Sequence, residues 1–135
     1  MLPVLPIIDV SFECINKASV IYHVPAKLII SVLHIERGKN GQISKNTNGT
    51  YDIGLMQINS LWLPQLKKYG ISQSDIQYDA CKNLKVGTWI LGKKIANGDD
   101  LLVGIGDYHS HTQHYNQNYY TKVKFNLAKI DILLT

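Results

Sequence analysis

The segment Ala26-Lys27-Leu28-Ile29-Ile30-Ser31-Val32-Leu33-His34-Ile35-Glu36 constrains this chain more than any other. Ile29, Val32, Leu33 and Glu36 recur at helical spacing and form one stripe, so the segment is expected to be a helix with a buried face. Pro25 suits its first position and Gly38 its stop. The unusual member is Glu36, which continues the apolar stripe and sits at the helix C-terminus. Burial and the negative end of the helix dipole both favour a protonated carboxyl there. A carboxyl group that keeps its proton near neutral pH is what a general acid requires. The competing reading is a rim glutamate with its head in solvent or paired with Arg37, and the pattern alone leaves both open.

Around this helix the pattern is mainly helical. A first helix is expected over residues 12–22. Residues 38–50 are rich in Gly, Asn, Lys, Ser and Thr and read as a surface loop. Residues 51–59 read as a short extended or turn-rich segment. A short helix should follow over residues 61–68 and end at Gly70. Asp79 can N-cap a longer helix through Ala96, ended by Asn97-Gly98. Asp99 or Asp100 can open another helix toward Tyr108, and residues 110–117 form a polar, His-rich loop. A last helix carries Tyr120, Val123, Leu127 and Ile130 on one face. With no repeat or linker, residues 1–135 read as a single domain whose first 11 residues form an extended N-terminal segment.

Composition narrows the ligand. Charged residues are 18% of the chain, and neutral hydrogen-bonding side chains take up the difference, as suits a sugar more than an ion. The net charge of +4 is carried almost entirely by lysine, because Arg37 is the only arginine. That argues against a nucleic-acid reader and for a diffuse attraction to an anionic polymer. No apolar run reaches the roughly 18 residues of a membrane helix. The opening Met1-Leu2-Pro3-Val4-Leu5-Pro6-Ile7-Ile8 has no basic region and reads as a poor signal peptide, more in keeping with the start of a mature exported chain. Cys14 and Cys81 are open to two readings, buried thiols or a bridge. His109, His111 and His114 stand at metal-like spacing, but in a polar loop without a carboxylate pattern they are read as no metal site.

Sixteen residues after Glu36 comes Asp52, followed by Gly54-Leu55-Met56-Gln57-Ile58-Asn59. The stretch from Asn46 through Ser60, set after a helix-ending glutamate, resembles the signature of the lysozyme-like lytic transglycosylases. In particular it is similar to the small specialised enzymes attached to bacterial secretion, conjugation and pilus machines. The resemblance runs from Cys14 to about Val123. It implies a lysozyme-like α+β fold, mainly helical, with a short β segment beside the cleft. Glu36 matches the single catalytic acid. Met56, Gln57 and Asn59 match cleft residues that contact sugar. Val103-Gly104-Ile105-Gly106-Asp107-Tyr108 leads to the tyrosine position, held by Tyr108, and Tyr119 matches a later cleft tyrosine. Cys14 and Cys81 match positions joined by a disulfide, which implies an oxidising periplasm. Closing so long a loop stabilises a fold by about 4 kcal/mol. The sequence departs from the family pattern at Arg37, where Ser is usual, at Asn40-Gly41 for Asn-Pro, and at Tyr108-His109-Ser110-His111 for Tyr-Asn-Ala-Gly. Arg37 is expected to face outward, since helix neighbours point about 100° apart.

The function so implied is cleavage of the β-1,4 bond between N-acetylmuramic acid and N-acetylglucosamine in peptidoglycan, opening the wall locally for a secretion, conjugation or pilus apparatus. No metal or cofactor is needed. The partners are glycan strands and components of such a machine. Asp52 carries two readings: a turn-capping residue after Asn48-Gly49-Thr50, or a second carboxylate that stabilises charge on the sugar, as in lysozymes. Two alternatives follow, a lysozyme-type hydrolase using Glu36 and Asp52, or a catalytically weakened glycan-binding scaffold.

Overall fold

The computed structural model describes residues 10–97 together with Tyr108 and Lys122. The first helix, α1 (Phe12–Tyr22), begins where the Ser11 hydroxyl accepts from the Cys14 amide at 3.2 Å. It ends at His23 in the left-handed region, with φ 55°. The second helix, α2 (Ala26–Glu36), buries every residue from Leu28 through His34. A helix apolar on nearly all sides must be surrounded, and α2 is the central rod of the core. Pro25 stands one position earlier than expected, as the residue flanking the helix, and its carbonyl accepts from Leu28 and Ile29.

The stop of α2 differs from expectation in a way that matters for the site. Arg37, not a glycine, takes the left-handed conformation, with φ 52°, and its amide bonds the Leu33 carbonyl at 3.0 Å. Gly38 is needed for a different reason. A Cβ there would collide with the carbonyls of Gly54 and Leu55. The missing side chain lets the end of α2 lie directly on the Gly54–Gln57 turn.

A three-stranded antiparallel sheet follows in the order β1 (Ile43–Lys45), β2 (Tyr51–Ile53), β3 (Ile58–Asn59). Asp52 faces Ser44 on one side and Asn59 on the other. β1 lies inside the span expected to be a loop. Its composition is polar because its side chains are largely exposed, so only pairing with β2 reveals it as a strand. The β1–β2 turn is tied by Asn48, whose Oδ1 accepts from the Thr50 amide at 3.0 Å and the Thr50 hydroxyl at 2.7 Å.

A single 3-10 turn (Ser60–Trp62) leads into α3 (Leu63–Lys68). The next helix, α4 (Gln73–Tyr78), was not anticipated. It is opened by a reciprocal cap in which Ser72 accepts from the Asp75 amide and Asp75 accepts from the Ser72 amide. The long helix α5 (Ala80–Asn97) starts at Asp79, whose carboxylate accepts from the Lys82 amide at 3.0 Å. α1 packs against α5, and the Cys14–Cys81 disulfide joins them across 67 residues of chain, with the Cα atoms 5.8 Å apart. Ile15, Ala18, Ile29, Val32, Ile53, Met56, Leu84 and Leu91 form the centre of the core. This is the mainly helical α+β, lysozyme-like arrangement expected, with the small sheet beside the end of α2.

Among the described residues, no single helix is long and apolar enough to cross a membrane. Tyr108 is helical. The remaining residues expected in the helix leading to it, the His-rich loop and the helix carrying Tyr120, Val123, Leu127 and Ile130 lie outside the described residues.

Candidate active site

The cleft brings together pieces of chain that are far apart in sequence. Glu36 comes from the end of α2, Asp52 from β2, Gln57 to Asn59 from the last turn of the sheet, and Tyr108 from beyond α5. With Asn46, Thr47, Asn48, Thr50, Trp62 and Ile90 they line a cleft of about 490 Å³. Glu36 is half-buried at its wall.

Asp52 is the middle residue of β2, and its side chain reaches the cleft while Ile53 beside it is fully buried. The alternation of a strand sends these neighbours to opposite faces. Asn59, its cross-strand partner, donates from Nδ2 to Asp52 Oδ1 and to Thr50 Oγ1, both at 3.1 Å. Asp52 is therefore held as a hydrogen-bonded group in the cleft wall. The turn-capping role considered for it belongs to Asn48.

Tyr108 closes the group. Its hydroxyl donates to the Met56 carbonyl at 2.9 Å. Burial, the Glu36 carboxylate and the Asp52 carboxylate, in that order of weight, push its phenol well above the ordinary tyrosine range. The three groups line one cleft, and the phenol keeps its proton throughout the physiological range.

Gln57 occupies a backbone conformation that non-glycine residues rarely adopt, with φ 52°. Its amide N–H bonds the Gly54 carbonyl at 3.1 Å, and its side-chain Nε2 donates to the same oxygen at 2.9 Å. The strained turn carries the Gln57 side chain into the cleft.

Met56 corrects an expectation. Its side chain is fully buried, packed where a Cβ on Gly87 would strike it, and does not reach the cleft. Its contribution is the backbone. The carbonyl holds Tyr108, and the amide donates to Asn83 Oδ1 at 2.9 Å. Asn83, buried on α5, also donates from Nδ2 to the carbonyls of Ile53 at 2.9 Å and Ile76 at 2.8 Å. One amide thus ties α4, α5, the end of β2 and the Gly54–Gln57 turn together. Sequence reasoning did not find it, because a lone Asn inside a helix has no local signature.

Arg37 is exposed, as expected, and its Nε donates to the His34 carbonyl at 3.3 Å. Sequence reasoning also missed the site roles of Asn46, Thr47, Asn48, Thr50 and Trp62. Their signal was the excess of neutral hydrogen-bonding residues, concentrated in that loop. Tyr119, His109, His111 and His114 lie outside the described residues. Among the described residues, no group of three or more His, Cys, Asp or Glu side chains is arranged to hold a metal ion.

The chain matches the family described as Transglycosylase SLT domain over residues 13–127. It is 33% identical over 109 residues to a peptidoglycan-binding-like protein of Escherichia coli O157:H7, an alignment covering 74% of this chain and 65% of the relative. It is 36% identical over 80 residues to invasion protein IagB of Salmonella typhimurium, covering 58% of this chain and 50% of that protein. With protein IpgF of Shigella flexneri it shares 28% identity over 82 residues, covering 60% and 54% respectively. The chain thus spans about half to two thirds of the length of these curated relatives. The family match begins in α1, takes in Glu36, Asp52, Gln57 and Tyr108, and runs past them; this chain belongs to the lytic transglycosylase SLT domain family.

Proposed function

We propose that this chain cleaves the β-1,4 bond between N-acetylmuramic acid and N-acetylglucosamine in peptidoglycan, as a lytic transglycosylase with Glu36 as its acid and base. The observation that carries this reading is a cleft lined by Glu36, Asp52 and Tyr108, with a wall of neutral amides and hydroxyls. Such a wall suits the hydroxyl and N-acetyl groups of sugars.

In this mechanism Glu36 gives its proton to the glycosidic oxygen as the bond breaks. Positive charge grows at the anomeric carbon, and the Asp52 carboxylate, held by Asn59, stabilises it. The Glu36 carboxylate then takes the proton of the muramoyl 6-hydroxyl, whose oxygen closes on the anomeric carbon. The product is a 1,6-anhydro end, and no water is consumed. Tyr108, held by its bond to the Met56 carbonyl, serves as a neutral group lining the cleft with the two carboxylates.

Asp52 supports a second reading. An anion held in that place suits a two-carboxylate hydrolase, in which water in place of the 6-hydroxyl attacks. Digestion of purified sacculi with mass analysis of the released fragments separates the two: anhydro ends support the transglycosylase, and reducing ends support the hydrolase. Binding of sacculi without any release would support a glycan-binding scaffold, a reading for which the relative named peptidoglycan-binding-like speaks. A substrate in the wall places the protein in the cell envelope, and the Cys14–Cys81 bridge favours the oxidising periplasm. We further propose a local wall-opening role beside a secretion, conjugation or pilus apparatus, whose components would be its partners.

A further inference from the structure

The cleft changes character at its Trp62 end. Trp62, a cleft-lining residue, packs edge-on against Trp89 of α5 with ring centroids 5.8 Å apart. Tyr69, 67% exposed, meets Trp89 edge-on at 6.2 Å. On α5, Ile90 lines the cleft beside Trp89. Residues four apart on a helix share a face, so the next turn along these two rows carries Lys93 and Lys94. The Lys93 ammonium lies 4.6 Å from the Trp89 centroid and 5.8 Å from that of Trp62, and the Lys94 ammonium lies 5.8 Å from Trp62.

We propose that this end of the cleft is a recognition site for a carboxylate on the peptide stem of the glycan strand, read by Lys93 and Lys94 above the Trp62–Trp89 platform. This rests on the peptidoglycan reading of the site. A lone lysine over an exposed indole is an ordinary surface contact. Here two ammonium groups converge on one ring, and that ring is itself part of the cleft wall. Both side chains are cationic, opposite in sign to an ionised Glu36 or Asp52. The sugar rings of the strand are neutral and match the Asn46–Thr50 side of the cleft. The strand's negative charge is on its peptide substituents. A sugar stacked on Trp62 sets its substituent beside the lysines, where a carboxylate gains both charges. Among the described residues, no carboxylate is ion-paired with Lys93.

The test measures binding of soluble oligosaccharides by calorimetry in a Glu36→Gln background, which separates recognition from turnover. Three ligands are compared: muropeptide oligomers with intact stems, the same strands stripped of stems by an amidase, and neutral N-acetylglucosamine oligomers. Lys93→Gln with Lys94→Gln should weaken binding of the stem-bearing strand about five- to tenfold at low salt, an effect that fades as salt is raised. Neutral oligomers should be unaffected, and Lys93→Arg with Lys94→Arg should restore affinity. A loss of equal size on stripped strands overturns the assignment to the peptide stem, because those strands carry no stem carboxylate. Equal losses on charged and neutral ligands, or no loss on any, overturn the proposal. Melting curves show that the variants are folded. Because the readout is binding, it remains informative even if wild-type protein releases nothing from sacculi, the result that overturns the proposed activity.

Discussion

Glu36 is the last helical residue of α2, and the backbone just after it decides where its carboxyl goes. Arg37 turns the chain in the left-handed conformation, and Gly38 allows the helix end to touch the Gly54–Gln57 turn. Glu36 and Asp52 therefore line the same cleft, one from a helix end and the other from a strand. Replacing Glu36 with Gln keeps the shape and removes the acidic proton, so both proton transfers of the proposed mechanism fail. Sacculus clearance should fall by about 10³- to 10⁴-fold, the upper end of what general acid–base catalysis supplies, with an unchanged melting profile. Clearance at near wild-type rate would show that another group is the acid. Asp52→Asn tests a different quantity, the charge at the sugar ring. It retains the size of the side chain and should slow turnover on the order of tenfold or more. Normal turnover in a folded Asp52→Asn protein would leave Asp52 a purely structural residue of β2.

Between the elements, Asn83 is the joint. Its three hydrogen bonds of 2.8 to 2.9 Å satisfy the Met56 amide and the carbonyls of Ile53 and Ile76 in a buried place. Asn83→Ala strands these groups without partners, at a cost of about 3 kcal/mol in urea unfolding. The Gly54–Gln57 turn should then loosen, so sacculus clearance should fall further than the residual folded fraction accounts for. A variant that loses stability but keeps full activity per folded molecule would show that the turn holds its shape without Asn83. The close contact of Gly54 with Asn83 points the same way. A Cβ at Gly54 would press on the Asn83 amide, so this glycine serves a packing contact as well as a turn with φ 69°.

At the scale of the molecule, the disulfide ties the first turn of α5 to α1 and spans the central helix and the whole sheet. Its removal by Cys14→Ser with Cys81→Ser should destabilise the protein by about 4 kcal/mol through the freed unfolded chain. The cleft lies away from the bridge, so clearance per folded molecule should persist at low temperature. A loss below about 1 kcal/mol would mean that the unfolded chain is already restrained without the bridge. The sequence by itself determined the helices α1, α2, α3 and α5, because their periodicity, caps and glycine or proline stops are local. It also singled out Glu36 as a polar residue on an apolar stripe, and Gly54-Leu55-Met56-Gln57 by resemblance to a family. It concealed β1, whose exposed residues look like loop until β2 pairs with them. α4 was overlooked despite its Ser72–Asp75 cap, which was legible in principle. Only the tertiary structure decided that Asp52 faces the cleft and that Met56 turns its side chain inward and offers its carbonyl. The same holds for Asn83, which joins the elements, and for Trp62, which meets two lysines from a helix far along the chain. These choices depend on which strand face and which helix row meet a distant neighbour. That is set by packing between segments, which no local pattern encodes.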